Sequence, residues 1–517
     1  MPTLRRLMVE GAWGELTSTI PALTPPAWAS LVTGTNPGKH GIYHFRHTSA
    51  GDYYQRRLNT SRDIHAPAIW QRLANHDKRV GVINVPLCHP VYAVNGFITT
   101  DAFAPDAKRV QTHPPELAAE FFTDYIVDVE HYPTALPGTA NYESEVLRFI
   151  DENERVLVSQ ANTAIRLMQS RPWEFMMVAW MATDRLGHFC WKYADPSLES
   201  SFGTDAERRL ATRTWEVFRR VDSEITRLLE AAGEDCTVML VSDHGFGPAP
   251  QKFYHAARWL RDEGYLRLPP AWHWQRIVHG YLPRSLKGRL GGPIDSKYGL
   301  VDWTRTRAWA EPLGSRTVAV RINRRGFYPT GIVSESDAAA LSEELTRKFL
   351  ALRATDGTTV VAQAHRGADL YHGSRANAAP DIVLVLAKPF DVPASFRRDV
   401  LAPSWIVPNR HVLRDGGHEP EGVFLAHGRN VKSAGQLPAQ PITAVAPTVL
   451  VALGLPLDED LDSEPITGIF DEEFLGKHPL RRASQAGSAS VSTAQPEYTQ
   501  EDQAAVEERL RNLGYVD

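Results

Sequence analysis

Cysteine is scarce in this chain, and what little there is does not cluster. The three residues, Cys88, Cys190 and Cys236, are scattered through 517 positions without C-x-x-C spacing, which argues against both a disulfide framework and a thiolate zinc site and leaves buried thiols as the expectation. Long apolar runs are also missing. Nothing approaches the roughly 20 residues needed to cross a bilayer, and the opening MPTLRRLMVEGAWGEL lacks the apolar centre of a signal peptide. The cytoplasm is the expected compartment, with no membrane span. Positive charge is not in excess either: a net charge of -5 provides no broad basic field for nucleic acid or an anionic membrane. There is no internal repeat. The composition is otherwise that of a globular protein, 43% hydrophobic and 23% charged, and long enough for two or more domains or one large α/β unit with insertions.

The stretch IPALTPPAWASLVTGTNPGKHGIYHF, residues 20–45, organises the reading. Thr24 precedes two prolines and an apolar run at helical spacing (Trp28, Leu31, Val32) that stops at Gly34. Proline is tolerated in a first helical turn and threonine is a favoured cap, so a helix is expected with Thr24 capping its mouth. Such an end attracts anions through its dipole and free amides, although a capping threonine is more often only structural.

Around it, periodicity predicts helices over Pro2–Glu10, Ala66–Asn75, Tyr142–Ser170, Asp205–Ala232, Ser336–Leu352 and Gln500–Leu513. A further helix over Pro441–Leu453 should be kinked or divided by Pro447. Buried strands are expected over Arg79–Val85, Glu174–Trp180, Thr237–Val241, Thr317–Ile322, Asp381–Leu386 and Gly422–Ala426. Alternation of this kind predicts an α/β fold with a mostly parallel central sheet, helices on both faces, and ligands at the carboxyl ends of the strands. Trp-, Pro- and Gly-rich text from 248 to 303 reads as an insertion. The expected organisation is a first core segment 1–247, an inserted cap 248–330, a second core segment 331–478, a Ser/Ala/Gln-rich linker 479–498 and a helical tail 499–517.

Four separated places carry atoms fit for metal ligation. Asp184 and His188 follow a strand, and if a helical turn starts there their i, i+4 spacing puts carboxylate and imidazole on one face; the alternative is a surface pair. Asp243 and His244, in VSDHGFGP, sit past the apolar Thr237 strand, where neither side chain belongs in a core and glycine permits close approach of backbone to a ligand. His418, in RDGGHEPEGVFLAHG, is alone a plausible loop residue, and Thr24 is the fourth. Carboxylate and imidazole without thiolate suit Zn²⁺ or Mn²⁺ better than Mg²⁺, with zinc the first choice.

TPPAWASLVTGTNPGKHGI, the Asp184/His188 pair, VSDHG and His418 with EPEGVFLAHG, in this order, resemble the type I phosphodiesterase/nucleotide pyrophosphatase branch of the alkaline phosphatase superfamily. INVPLCHP (83–90), VDWTRTRAWA (301–310), APTVLVALGLP (446–456) and the tail EERLRNLGYVD extend the resemblance over nearly the whole chain. The resemblance implies an alkaline-phosphatase-like α/β sandwich with an inserted cap and a metal-dependent hydrolase of small phosphoesters. It implies Thr24 as nucleophile, one metal held by Asp184, His188 and His418, and a second held by Asp243, His244 and Thr24 in two-metal chemistry. His44 and Tyr43 fall near a further phosphate-contacting position of the relatives.

The family pattern begins with an apolar strand ending in Asp-Gly, whose aspartate ligates the second metal. Here PTLRRLMVEGAWGEL corresponds to the helix that normally follows, so that strand and its carboxylate are expected to be missing. Either a start further upstream, which could also carry an export signal, or a weakened or silent metal- or phosphate-binding relic accounts for this. A monoesterase or phosphonate hydrolase remains open as the substrate class. A sulfatase is disfavoured because no C/S-x-P-x-R replaces TPPAW.

Overall fold

The computed structural model describes residues 1–53, 57–106, 110–269, 300–393, 395–409, 413–483 and 498–513. Part of the insertion expected over 248–303 (270–299) and most of the linker expected over 479–498 (484–497) lie outside them. The chain divides into two compact units. One comprises Met1–Phe45, Leu58–Ala249 and His411–Leu513; the other includes Arg46–Arg57 and Pro250–Arg410.

Two sheets of the first unit position the site. In one, Ala12–Thr17 lies between Glu421–Gly428 and the short strands Gly435–Gln436 and Gln440–Pro441, and Thr237–Val241 closes the far side of Glu421–Gly428. The Ala12 strand runs antiparallel to its long neighbour, Ala12 opposite Ala426 and Thr17 opposite Glu421, and the Thr237 strand is antiparallel to that neighbour in turn. In the other sheet, Thr112–His113, Gly96–Thr99, Val80–Ile83 and Phe175–Val178 follow in that order, with Val80–Ile83 parallel to both of its neighbours. Every residue of Val80–Ile83 is buried, whereas Phe175–Val178 and Thr237–Val241, each the last strand of its sheet, are half-buried throughout despite their apolar text.

Residues 12–17 correct what the resemblance implied, which matched AWGEL to a helix, whereas periodicity ended that helix at Glu10. Gly11 ends the helix Pro2–Glu10, and beyond it Ala12 and Leu16 are buried while Trp13 and Glu15 are partly exposed. That alternation suits a strand, and pairing with residues 421–426 stabilises it in a way that no local signal announces.

The Thr24 helix, Thr24–Thr33, is buried on all sides, as its continuous apolar text requires. Ala27, Trp28, Leu31 and Val32 pack in one core with Phe424 and Ala426 of the sheet and with Trp70 and Leu73. Gly34 ends the helix in the left-handed region at φ 69°, its N–H donating to the Ser30 carbonyl, a conformation glycine adopts at little cost. Long helices Tyr142–Ser170 and Asp205–Ala232 pack on each other and cover the sheets with their apolar faces; Thr204 and Glu207 form a reciprocal capping box at the start of the second. The Pro441–Leu453 segment divides as Pro447 requires, into a short 3-10 turn Ile442–Ala444 and the helix Val445–Ala452, with the proline in the helix's first turn.

The second unit is built on an antiparallel sheet in the order Val361–Arg366, Ile382–Leu386, Thr317–Ile322, Ala308–Gly314. The helices Glu335–Leu350 and Ala256–Asp262 pack on it around Trp309, Phe349 and Leu260.

Candidate metal centre

The site is assembled by three chain segments, two of which leave strands of the sheets described above. The Thr237 strand ends at Val241, and two residues later Asp243 and His244 lead into the short strand Gly245–Pro248. That strand pairs antiparallel with Gly416–Glu419, His418 opposite Phe246 and Glu419 opposite Gly245. This register brings His244 against His418: the two rings stack with centroids 3.5 Å apart. After Phe175–Val178, the helix Ala182–Ala194 carries Asp184 in its first turn and His188 one turn on.

These side chains converge. The His418 Nε2 lies 3.3 Å from Asp184 Oδ1 and 3.1 Å from His188 Nε2. From Asp184 Oδ1, His188 Nε2 is 3.6 Å away and His244 Nε2 3.8 Å. Asp243 Oδ2 is 3.3 Å from His244 Nε2. Asp184, His244 and His418 each offer a ligand atom within 4.8 Å of the others. The aspartates and histidines of the two ligand sets inferred from the resemblance therefore form one knot in which His244 lies with Asp184 and His418.

Two further contacts decide which ring atoms face the centre. The Nδ1 of His418 is 3.1 Å from the Ala22 carbonyl, and that of His244 is 3.1 Å from the Gly245 carbonyl. A carbonyl can only accept, so both Nδ1 atoms carry a proton, which leaves Nε2 as the ring atom each histidine can offer to a metal. Phe246 covers three imidazoles, its ring centroid 4.9 Å from His188, 5.6 Å from His244 and 5.1 Å from His418. Asp415 ties the Ala182–Ala194 helix to the strand that carries His418. The helix kinks at Cys190, and the Asp415 carboxylate accepts from the freed Trp191 N–H at 2.7 Å, while the Asp415 N–H donates to the His188 carbonyl at 2.9 Å.

The electrostatics are those of a cation site. Burial pulls His418 down to about 4, helped by His244, and pulls His188 well below its usual range. Both rings are thus neutral ligands at pH 7. Burial opposes ionisation of Asp184, but His188, His418 and the Arg185 guanidinium more than offset it and hold the carboxyl well below the usual range. Burial raises Asp243 to about 6, against the attraction of His244. Asp184 Oδ1 and Asp243 Oδ2 are buried acceptors without a hydrogen bond among the described residues. Three imidazole nitrogens gathered in a buried cluster around carboxylate oxygens that lack a hydrogen bond favour positive charge among them, so these residues fit a divalent cation.

Thr24 is buried and opens its helix, but it does not cap it, which corrects the sequence reading. Leu23 occupies the cap position because the first intrahelical bond runs from the Ala27 N–H to the Leu23 carbonyl, and no side chain caps the end. The segment before Thr24 is tied to the centre twice, by the Ala22 carbonyl at His418 and by the Ser18 hydroxyl donating to the Asp243 carbonyl at 2.5 Å. Tyr43 and His44 are both buried.

A family model described as type I phosphodiesterase / nucleotide pyrophosphatase matches residues 1–401. The chain belongs to that family. The family is one of phosphoric ester hydrolases, type I phosphodiesterases and nucleotide pyrophosphatases. No curated protein sequence matches it. Among solved structures, it is similar to human ectonucleotide pyrophosphatase/phosphodiesterase 5 at 12% identity, covering 88% of this chain and 90% of that one, TM-score 0.42. Phosphonoacetate hydrolase from Sinorhizobium meliloti 1021 shows 16% identity over 86% and 88%, TM-score 0.49. The alkaline phosphatase PafA shows 14% identity over 91% and 94%, TM-score 0.48. Among the described residues, no helix of this family member is long and apolar enough to cross a membrane.

Sequence reasoning missed Phe246, Asp415, Arg185 and Asp128. Arg185 had a signal, a cation directly beside a candidate ligand in TDRLGH. Asp415 and Asp128 had none, because their partners are distant in sequence.

Proposed function

We propose that the chain hydrolyses small phosphoesters, diesters of the nucleotide type foremost, with Thr24 as nucleophile and two divalent cations, zinc first and manganese second. Asp184, His188 and His418 would hold one cation, and Asp243, His244 and the Thr24 hydroxyl the other. The observation that carries this reading is the 3.1 Å approach of the His188 and His418 Nε2 atoms beside the Asp184 carboxylate. When bound, divalent cations neutralise phosphate oxygens and lower the proton affinity of a nearby hydroxyl or water.

The chain's own residues do the rest. Thr24 Oγ1 attacks phosphorus as the ester oxygen departs, leaving a phosphothreonine; a water then attacks the same phosphorus, releases the phosphate product and restores the hydroxyl. Pro25 and Pro26 have no N–H and the Ala27 N–H is committed to Leu23, so the Thr24 N–H is the backbone donor at the helix mouth for an equatorial oxygen. His418 and His244 hold their ligand atoms in place through their Nδ1–H bonds.

The test is turnover of bis(p-nitrophenyl) phosphate and p-nitrophenyl phosphate with added Zn²⁺ or Mn²⁺. Thr24→Ala should reduce it on the order of a thousandfold or more; unchanged turnover would refute the assignment. A second reading, a silent protein binding one cation, is favoured by a different observation: the described residues hold one group of three ligand atoms within 4.8 Å. Elemental analysis separates the two, since two metals per chain together with turnover exclude the silent protein.

A further inference from the structure

Arg185 follows the candidate ligand Asp184 and is 2% exposed at its side chain, as is Asp128. A buried guanidinium needs compensation, and here it has two partners. Its Nε and terminal nitrogen reach Asp128 Oδ1 at 3.2 Å and Oδ2 at 2.6 Å, a two-pronged pair, while the other terminal nitrogen reaches Asp184 Oδ2 at 2.8 Å. Asp128 is itself fixed: its Oδ1 accepts the Val129 N–H, and the Gln160 amide holds the Ile126 and Val127 carbonyls from the long helix Tyr142–Ser170.

The consequence falls on Asp184. A free carboxylate can meet a cation through one oxygen or both. Here Oδ2 is spent on Arg185, and only Oδ1 faces the Nε2 atoms of His418, His188 and His244, at 3.3, 3.6 and 3.8 Å. Asp128 also cancels the guanidinium's charge, so the carboxylate of Asp184 keeps its attraction for a cation despite the adjacent Arg.

We infer that Arg185 and Asp128 are positioning residues of the centre: together they confine Asp184 to one-oxygen ligation through Oδ1 and keep the site's negative charge available to the metal. This rests on the metal-site reading above. Planarity matters, because lysine offers a point charge that cannot grip Asp128 with two prongs and Asp184 with a third. Asp128→Asn keeps the shape but leaves the guanidinium's charge uncancelled.

The experiment is Co²⁺ and Zn²⁺ titration of the full chain against a chromophoric chelator, with Co²⁺ absorption spectra and melting curves of the metal-free protein. Wild type should show an intense visible Co²⁺ band. Arg185→Lys should weaken affinity about 10- to 100-fold and lower the band's intensity, as Asp184 swings to bind through both oxygens and the coordination number rises. Asp128→Asn should weaken affinity to a similar extent with the band's shape retained, and it supplies the reading if Arg185→Lys does not fold. Variants that melt lower yet bind Co²⁺ with wild-type affinity and spectrum overturn the inference and leave the metal site standing. Wild type that takes up no metal overturns the site itself, and the positioning role with it.

Discussion

The rings of His244 and His418 lie face to face, 3.5 Å between centroids and 22° from parallel. Two protonated imidazoles could not share that position, and burial together with the His244 charge does pull His418 down to about 4. Each ring spends its Nδ1–H on a backbone carbonyl. The stack therefore turns both Nε2 atoms to the same side, 3.3 Å (His418) and 3.8 Å (His244) from Asp184 Oδ1.

Gly187 lies between Asp184 and His188, and a Cβ placed there would come 2.7 Å from the Phe246 ring. Gly187→Ala should push Phe246 off the imidazoles it covers, lowering stability by about 1–3 kcal/mol and weakening Zn²⁺ binding. Chelator competition and thermal melts on the same preparation measure both, and an unchanged affinity would show that Phe246 does not hold the rings.

Arg72 is buried and pairs with Asp458 and with Asp460 at 2.7 Å, and it donates to the Thr33 carbonyl at the end of the Thr24 helix. Arg72→Met leaves Asp458 buried without its cation. A loss of about 3–5 kcal/mol is expected, read as a reduced urea midpoint, with faster amide exchange at the carboxyl end of residues 24–33.

His40 is buried, its Nδ1 accepts the Ile42 N–H and its Nε2 therefore donates to the Ser30 hydroxyl at 2.9 Å. Burial pulls its pKa from the usual 6.5 to about 3, against the attraction of Asp462. The unfolded chain thus binds the proton more readily, so this contribution is complete above about pH 6.5 and is lost as pH falls toward 3. The slope approaches about 1.4 kcal/mol per pH unit within that window. Urea unfolding at pH 7.5 and pH 5 should show His40→Gln less stable than wild type at the higher pH but with a flatter pH dependence; parallel profiles would assign the acid sensitivity elsewhere.

The carboxyl-terminal helix Gln500–Asn512 secures the loop after the Gly96 strand. Arg509 donates to the Ala102 carbonyl at 3.0 Å and also to those of Ala104 and Pro105, while the Tyr498 hydroxyl donates to Phe103 at 2.9 Å. Phe103 packs edge-on against Phe45, beside His44. Arg509→Ala should cost about 1–3 kcal/mol through unpaired carbonyls and raise hydrogen exchange over residues 101–106. Exchange unaltered there would mean that the loop is held without the helix.

The amino-acid sequence by itself determined the elements with strong local signals: the helices Pro2–Glu10, Tyr142–Ser170 and Asp205–Ala232, the strands Thr237–Val241 and Thr317–Ile322, and the one-turn spacing of Asp184 and His188. Periodicity, caps and β-branched runs act over a few residues, and so can be read without the rest of the chain. The strand Ala12–Thr17, the His244–His418 stack and the Arg185–Asp128 pair were decided by the tertiary structure alone. Each depends on which distant segments come into register, His418 opposite Phe246 and Ala12 opposite Ala426, and that register is set by burial of the whole core.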